Sequence, residues 1–384
     1  MTDRHTPNSI TAFRKRYFPG AGAREWNDWR WQMRHRVRDA KGLERLFSLT
    51  EDEQAALQGL NGAMPLGITP YYAALISRDD TRDPLRKAMI PRLGERHALP
   101  GEQADPLGEQ AHSPVPGLVH TYPDKVLFLV TDLCASYCRY CTRSRIVGKG
   151  TLPTARQQWE QAIEYIRNRP EIRDVLISGG DPLILSDARL EWLLTRLRDI
   201  PHVEMLRIGT KIPAVLPQRI TPDLARMLKR FHPLYVSIHF THPSELTKAS
   251  ARACSRLADA GIPLGSQTVL LAGINDDLAT MRDLMHGLLN MRVKPYYLHQ
   301  CDPVSGTSHF RTPIEKGVSI IRGLHGHTTG YAVPAYMLDA AGGGGKVPIN
   351  PDYIKRREGN VWILSNYRGL EYRYAESVDR PTNA

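Results

Sequence analysis

Cys134-Ala-Ser-Tyr-Cys138-Arg-Tyr-Cys141 places three thiols in a CxxxCxxC run directly after an apolar, strand-like segment, Lys125 to Thr131. Thiolates this close in sequence can hold three irons of a [4Fe-4S] cluster and leave the fourth iron open to a ligand that is not protein. Zinc is the competing occupant. A structural zinc site is closed by four ligands, however, and the other two cysteines, Cys254 and Cys301, stand alone.

A second run, Leu338-Asp339-Ala340-Ala341-Gly342-Gly343-Gly344-Gly345-Lys346-Val347-Pro348, holds one lysine behind four glycines. It is not a nucleotide phosphate loop, because Ala340 stands where that loop needs its first glycine and Val347 where it needs serine or threonine. Composition alone would also suit a flexible surface loop. A lysine carried by mobile glycines can instead form a Schiff base with a carbonyl cofactor and withdraw when substrate displaces it.

These groups need elements to position them. From Lys125 to about Asp302, apolar runs alternate with helical patterns, as in repeated βα units. The expected strands are Val126–Thr131, Val175–Gly179, Val203–Gly209, Tyr235–Phe240, Leu264–Leu271 and Lys294–Gln300. Thr154 with Gln157, and Thr221 followed by Pro222, mark helix starts between them. Polar residues and glycines gather at the strand C-terminal ends, the face of a parallel barrel where active sites sit. The fold expected is therefore α/β, a partial, TIM-like barrel of six βα units. Ser178-Gly179-Gly180-Asp181 follows the second strand, where glycine lets backbone approach a ligand or simply makes a tight turn. His239, ending the fourth strand, and Gln267 are further candidates for cofactor contact, though either alone would also suit a satisfied polar residue near the core.

Residues 1–110 read as a helical N-terminal region, 111–330 as the barrel, and 331–384 as a C-terminal extension carrying Lys346. In the first, Arg24 to Leu46 has Trp26, Trp29, Met33, Val37 and Leu43 or Leu46 at helical steps, a face for packing on a neighbouring domain. Thr50 with Glu53 is a capping box. The prolines between Leu99 and Pro123 predict an extended linker.

A chain of 384 residues buries a substantial core. Its charged start, MTDRHTPNSITAFRKRYF, lacks an apolar stretch of signal-peptide length, and no run approaches the length of a membrane span. The expectation is a cytoplasmic protein without a membrane. Five cysteines, three of them bunched, suit metal ligation in a reducing compartment better than a disulfide framework. The net charge of +11 is spread along the chain and reads as a solvated surface, not a nucleic-acid site.

The cysteine run resembles that of the radical S-adenosylmethionine superfamily. The resemblance then narrows to the lysine 2,3-aminomutase family, on Trp26 to Gln32, Ser113 to Leu118, Cys138-Arg139-Tyr140-Cys141-Thr142-Arg143, Val215 to Thr221, Gln300-Cys301-Asp302, Gly323 to Tyr331 and the glycine-lysine run. It implies a [4Fe-4S] cluster on Cys134, Cys138 and Cys141 whose open iron takes S-adenosylmethionine. Contact between Ser178 to Asp181 and the methionine amino group of that cofactor is also implied. Lys346 would hold pyridoxal phosphate, Arg143 the substrate α-carboxylate, and Asp302 with Asp339 the distal amino group. Physical chemistry suits these roles: a guanidinium forks a carboxylate, and two gathered carboxylates favour a cationic side-chain end.

The implied reaction moves the amino group of a basic amino acid, lysine first and arginine as the alternative, from C2 to C3 by way of a 5′-deoxyadenosyl radical. An RNA-modifying radical enzyme is the more distant alternative. An electron donor such as flavodoxin or ferredoxin and a homo-oligomeric state follow from the same resemblance. Two departures stand out. Clostridial-type relatives carry zinc-binding cysteines near the C terminus and in the loop after the fifth strand, whereas Ser377 to Ala384 has none and Asp277 occupies the loop position. Thr121 stands where relatives often have an arginine near the cofactor phosphate, with Lys125 as a possible substitute.

Overall fold

Residues alternating between two environments make the sheet that carries this site. The computed structural model describes residues 7–58, 64–152 and 155–377. Its main sheet runs in sequence order: β1 (Leu118–Tyr122), β2 (Lys125–Leu129), β3 (Asp174–Ser178), β4 (Met205–Thr210), β5 (Leu234–His239), β6 (Leu264–Leu270), β7 (Lys294–Gln300), β8 (Ala335–Ala340) and β9 (Gly345–Pro348). Neighbours from β2 to β8 are parallel, while β1 and β9 lie antiparallel on the two edges.

The six strands read from sequence are β2 to β7. The third begins at Met205 and not Val203, because the Val203 amide closes a turn on the Ile200 carbonyl at 3.1 Å. A seventh parallel strand, β8, and the edges β1 and β9 were not expected. The glycine-lysine run is the turn and second arm of the β8–β9 hairpin, with Asp339 directly opposite Lys346.

Ile177, Ile208, Val236 and Leu264 form one row across β3 to β6 and are buried with Ile163, Leu193, Leu228 and Leu257 of the crossover helices. Each such side chain contributes roughly 1.5–3 kcal/mol on leaving water. The alternate residues are half-buried and more polar. Arg207 bonds Asp174 at 2.9 Å, and His239, Gln267 and Tyr297 lie side by side. The barrel thus has an apolar outer wall under helices and a polar lumen, with β1 and β9 near each other: the Lys346 amide donates to the Tyr122 hydroxyl at 2.8 Å.

The tryptophan stripe is buried as expected, but on three helices instead of one: Ala23–Asn27, Trp29–Arg34 and Ala40–Leu46. Asp28 and Asp39 interrupt it by capping the second and third, accepting from Arg30 N at 2.9 Å and Gly42 N at 2.7 Å. Trp26, Val37, Leu43 and Leu46 remain buried. The Thr50–Glu53 box and the Thr221 cap form as read. Thr154 lies outside the described residues, and the side chain that turns back on the following helix start is Gln158, not Gln157, accepting from Ala155 N at 3.3 Å.

This helical layer packs on the loops at the strand C-terminal ends. Tyr137 N donates to Gly67 O and Arg139 N to Ala88 O, both at 2.9 Å, and the Tyr72 hydroxyl donates to buried Glu245 at 2.7 Å. The expected linker is compact at its centre, where residues 105–112 turn tightly, and ends in β1. Beyond the barrel, β10 (Ile354–Glu358), β11 (Val361–Ser365) and β12 (Glu371–Ala375) make a separate antiparallel sheet. Among the described residues no helix is long and apolar enough to cross a membrane.

Candidate active site

The cysteine loop leaves β2 and turns over the mouth of the barrel. Cys134 and Cys141 pack against a small apolar group, Met64, Tyr137 and Val147, which keeps their side of the loop dry. Burial pushes all three thiols up, Cys141 to about 11 with the neighbouring Cys138 adding to the effect. Each thiol also feels one cation that opposes this: Arg36 at Cys134, Lys211 at Cys138 and Arg143 at Cys141. Dry thiols with compensating cations are what an anionic iron–sulfur cluster requires, since binding metal deprotonates them. Among the described residues no three His, Cys, Asp or Glu side chains converge on a single metal ion. A cluster instead takes each thiolate at a different iron.

Gly179 and Gly180 are glycines for a steric reason. A Cβ on Gly179, whose φ is +128°, would stand 2.2 Å from Thr131 O, and one on Gly180 would stand 2.2 Å from Leu133 O. The loop after β3 is thereby pressed against the root of the cysteine loop. Asp181 is buried and faces its own chain, accepting from Leu183 N at 3.1 Å, Thr210 Oγ1 at 2.7 Å and Lys211 N at 2.7 Å. Burial raises its carboxyl to about 6 against those bonds. Ser178 is half-buried at the end of β3, on the lumen side.

His239 and Gln267 occupy paired positions on β5 and β6. Burial, helped by the charge of Lys211, lowers His239 to about 3, so its ring is neutral at physiological pH. Lys211 itself is held by Glu245 at 2.7 Å and Thr241 at 3.0 Å, below the cysteine loop.

Lys346 and Asp339 form the centre of the opposite wall. Lys346 Nζ lies 2.7 Å from both Asp339 oxygens, and His299 Nδ1, on β7, lies 3.5 Å from Oδ2. Burial pushes the Asp339 carboxyl up, but the His299 bond and the Lys346 charge outweigh it and hold the group at about 2. Asp302, just beyond β7, accepts from the Thr142 hydroxyl at 2.7 Å. Its carboxyl is raised to about 6 by burial, with Asp339 adding to the rise and Thr142, Lys346 and Arg143 opposing it. Asp302, Asp339, Lys346 and Arg143 thus share one electrostatic environment.

Arg143 brings in a residue that sequence reasoning missed. Its Nε donates to Glu109 Oε1 at 2.9 Å and its Nη2 lies 2.7 Å from the same oxygen. Burial opposes charge on Glu109, yet Arg143 and Arg145 hold its carboxyl below the usual range. His299 and Thr142 were missed too, although Thr142 lies inside a motif already singled out. Lys125 reaches Asp124 at 3.3 Å and lies over the Tyr122 ring, 4.3 Å from its centroid.

The chain matches the family models of the radical SAM superfamily over residues 128–285 and of lysine-2,3-aminomutase over residues 321–383. It is 48% identical to the L-lysine 2,3-aminomutase of Acetoanaerobium sticklandii over 95% of this chain and 88% of that protein. Identity to the L-lysine 2,3-aminomutase of Bacillus subtilis is 49% over 92% of this chain and 75% of that one. A glutamate 2,3-aminomutase of Clostridioides difficile is 42% identical over 90% and 82%. This is an isomerase of the radical class, whose cofactors are a [4Fe-4S] cluster, S-adenosylmethionine and pyridoxal phosphate. Similarity that spans the cysteine loop, the barrel and the lysine hairpin together means that the chain belongs to the lysine 2,3-aminomutase family.

Proposed function

We propose that the protein converts L-lysine to β-lysine, moving the α-amino group from C2 to C3. In this reading Cys134, Cys138 and Cys141 hold the cluster and Lys346 holds pyridoxal phosphate. Ser178 and the Gly179-Gly180 backbone line the S-adenosylmethionine side, with Asp181 holding their loop from behind, and His239 and Gln267 lie in the vicinity of S-adenosylmethionine or pyridoxal phosphate. The cofactors supply a radical and a means of delocalising it on the amino acid. The protein's own residues bind the two ends of the substrate, orient it and exclude water.

The observation that carries the substrate assignment is the pair Asp302 and Asp339 at neighbouring strand ends, the charge of Asp339 acting on the Asp302 carboxyl, with Arg143 in the same environment. Two part-buried carboxylates disfavour a second anion and favour a cation between them. A lysine bound with its carboxylate toward Arg143 and its distal ammonium toward Asp302 and Asp339 meets opposite charge at both ends. Glutamate would bring a carboxylate to the acidic end.

An electron donor such as a flavodoxin or ferredoxin belongs to this proposal, because the resting cluster must first be reduced by one electron, although the isomerisation itself consumes none. So does self-association in the cytoplasm, for which the exposed Ile354, Leu370, Tyr372 and Tyr374 around the C-terminal sheet offer a surface. The test is an anaerobic assay with reductant, S-adenosylmethionine and lysine, arginine or glutamate, with products resolved by chiral chromatography and mass. β-Lysine should form fastest. Faster turnover of arginine or glutamate would overturn the substrate assignment.

A further inference from the structure

Residues 105–112, between the helical layer and β1, form a turn that touches both loops of the site. Asp105 builds it by accepting from Glu109 N at 3.1 Å and Gln110 N at 2.9 Å, so one carboxylate closes the whole turn. On one side it meets the cysteine loop: Glu109 takes Arg143, and Asp105 takes Arg145 at 3.1 Å. On the other it meets the glycines before Lys346. Gly342 N donates to Pro106 O at 2.9 Å. A Cβ on Gly108, at φ +64°, would stand 3.1 Å from the Gly342 carbonyl carbon, and one on Gly343 would stand 2.2 Å from His112 Cε1. Positive φ at both positions favours glycine, the Gly108 side is tight against backbone, and a side chain on Gly343 would force His112 to move.

A guanidinium offers two edges to carboxylates, the side edge of Nε with Nη2 and the end edge of Nη1 with Nη2. Glu109 takes the side edge of Arg143. The end edge remains available for a second carboxylate, and the plane in which it lies is set by Glu109. Fixing that plane in advance removes an ordering cost that substrate binding would otherwise bear.

Resting on the lysine reading above, we infer that Glu109 is a positioning residue for the substrate α-carboxylate: it presents the end edge of Arg143, and its turn keeps that edge at a set spacing from the Lys346 loop. Glu109 touches neither substrate nor cofactor and acts through Arg143. The same turn serves the lysine hairpin, so the carboxylate end and the amino-group end of the substrate are referenced to one piece of backbone.

The test uses the loaded enzyme without reductant, so that binding is read from the change in pyridoxal absorbance and not from turnover. Lysine is compared with cadaverine, which has both amines and no α-carboxylate. Glu109→Gln should weaken lysine roughly tenfold to a hundredfold, the scale of a catalytic group misplaced by about an ångström, and leave cadaverine unchanged. Glu109→Asp, which keeps the charge but shortens the reach, should show the same selective loss and decides the matter if the glutamine variant does not fold. Equal weakening of the two amines, or no weakening of lysine, would overturn the inference, because a merely structural role does not distinguish them. If another amino acid proves to be the substrate, that acid and its decarboxylated amine replace the pair, so failure of the lysine reading is seen separately.

Discussion

The Thr142 hydroxyl donates to Asp302 Oδ2 at 2.7 Å, tying the carboxylate beyond β7 to the residue that follows Cys141. The cysteine loop and the proposed acidic end of the substrate site therefore share a hydrogen bond. Displacement of either is felt by the other.

This carboxylate gives the site a pH dependence. Asp302 has a pKa of about 6 in the fold against an ordinary 3.8, chiefly through burial. Between those values the native state holds a proton that the unfolded state has lost, so this group's contribution to stability falls as pH rises through the window. Substrate binding has the opposite sign, because an ammonium needs the ionised form. kcat/KM for lysine should rise with pH through about 6 and then level, whereas Asp302→Asn should lack that step. Asp339, held at about 2, contributes no step in this range. A wild-type profile flat between pH 5 and 7 would contradict the assignment.

The two aspartates should not behave alike. Asp302→Asn removes one partner of the substrate ammonium and should raise the lysine KM roughly a hundredfold, given the cost of leaving a buried charge half-paired. Its pyridoxal absorbance should be that of the wild type. Asp339→Asn removes a substrate partner and also the carboxylate 2.7 Å from Lys346 Nζ, so both KM and the visible spectrum should change. Kinetics and spectra measured on the same preparations separate the two cases.

Gly180→Ala should cost iron. The added carbon meets the Leu133 carbonyl at 2.2 Å and Asp132 C at 2.7 Å, which are backbone atoms that cannot swing away. The cysteine loop must move, and both iron content after anaerobic reconstitution and Tm should fall. Gly330→Ala, with nothing within 4 Å of its new carbon, is the control that should change neither.

The residues proposed to hold the cluster and pyridoxal phosphate lie on different elements, the loop after β2 and the β8–β9 hairpin, so each cofactor should be removable alone. Alanine at Cys134, Cys138 or Cys141 should abolish bound iron and turnover while leaving the pyridoxal spectrum. Lys346→Ala should lose that spectrum and keep its iron. Iron and sulfide analysis beside an absorbance scan checks both, and a Lys346→Ala protein with unaltered absorbance would refute the lysine's role.

Much of this was legible because it is local in sequence. β2 to β7 announce themselves by short apolar runs. Cys134, Cys138, Cys141 and Lys346 are marked by spacing and by glycine. What could not be read depends on distant partners. Glu109 lies in a proline-rich stretch and gains meaning only from Arg143, 34 residues on. β8 is a strand because β7 offers it an edge. The break in the tryptophan helices was visible in principle, since Asp28 and Asp39 are good cap residues, but their effect competes with a continuous helical stripe. Gly179 and Gly180 were singled out for close approach to a ligand, and the approach the fold shows is to their own chain's backbone.

The way the barrel closes bears on its solubility. An unpaired sheet edge is a template on which another chain can build, and β1 and β9 are both edges. Here they are brought together by a tyrosine hydroxyl, not a ladder of backbone bonds. β9 is also only four residues long, begins with glycine, carries a charged lysine and ends in proline. Those are the features by which natural sheets discourage intermolecular pairing. The short arm that carries the residue assigned to hold a cofactor is therefore also an edge of the main sheet whose composition discourages pairing with another chain, a property it has before any cofactor is loaded.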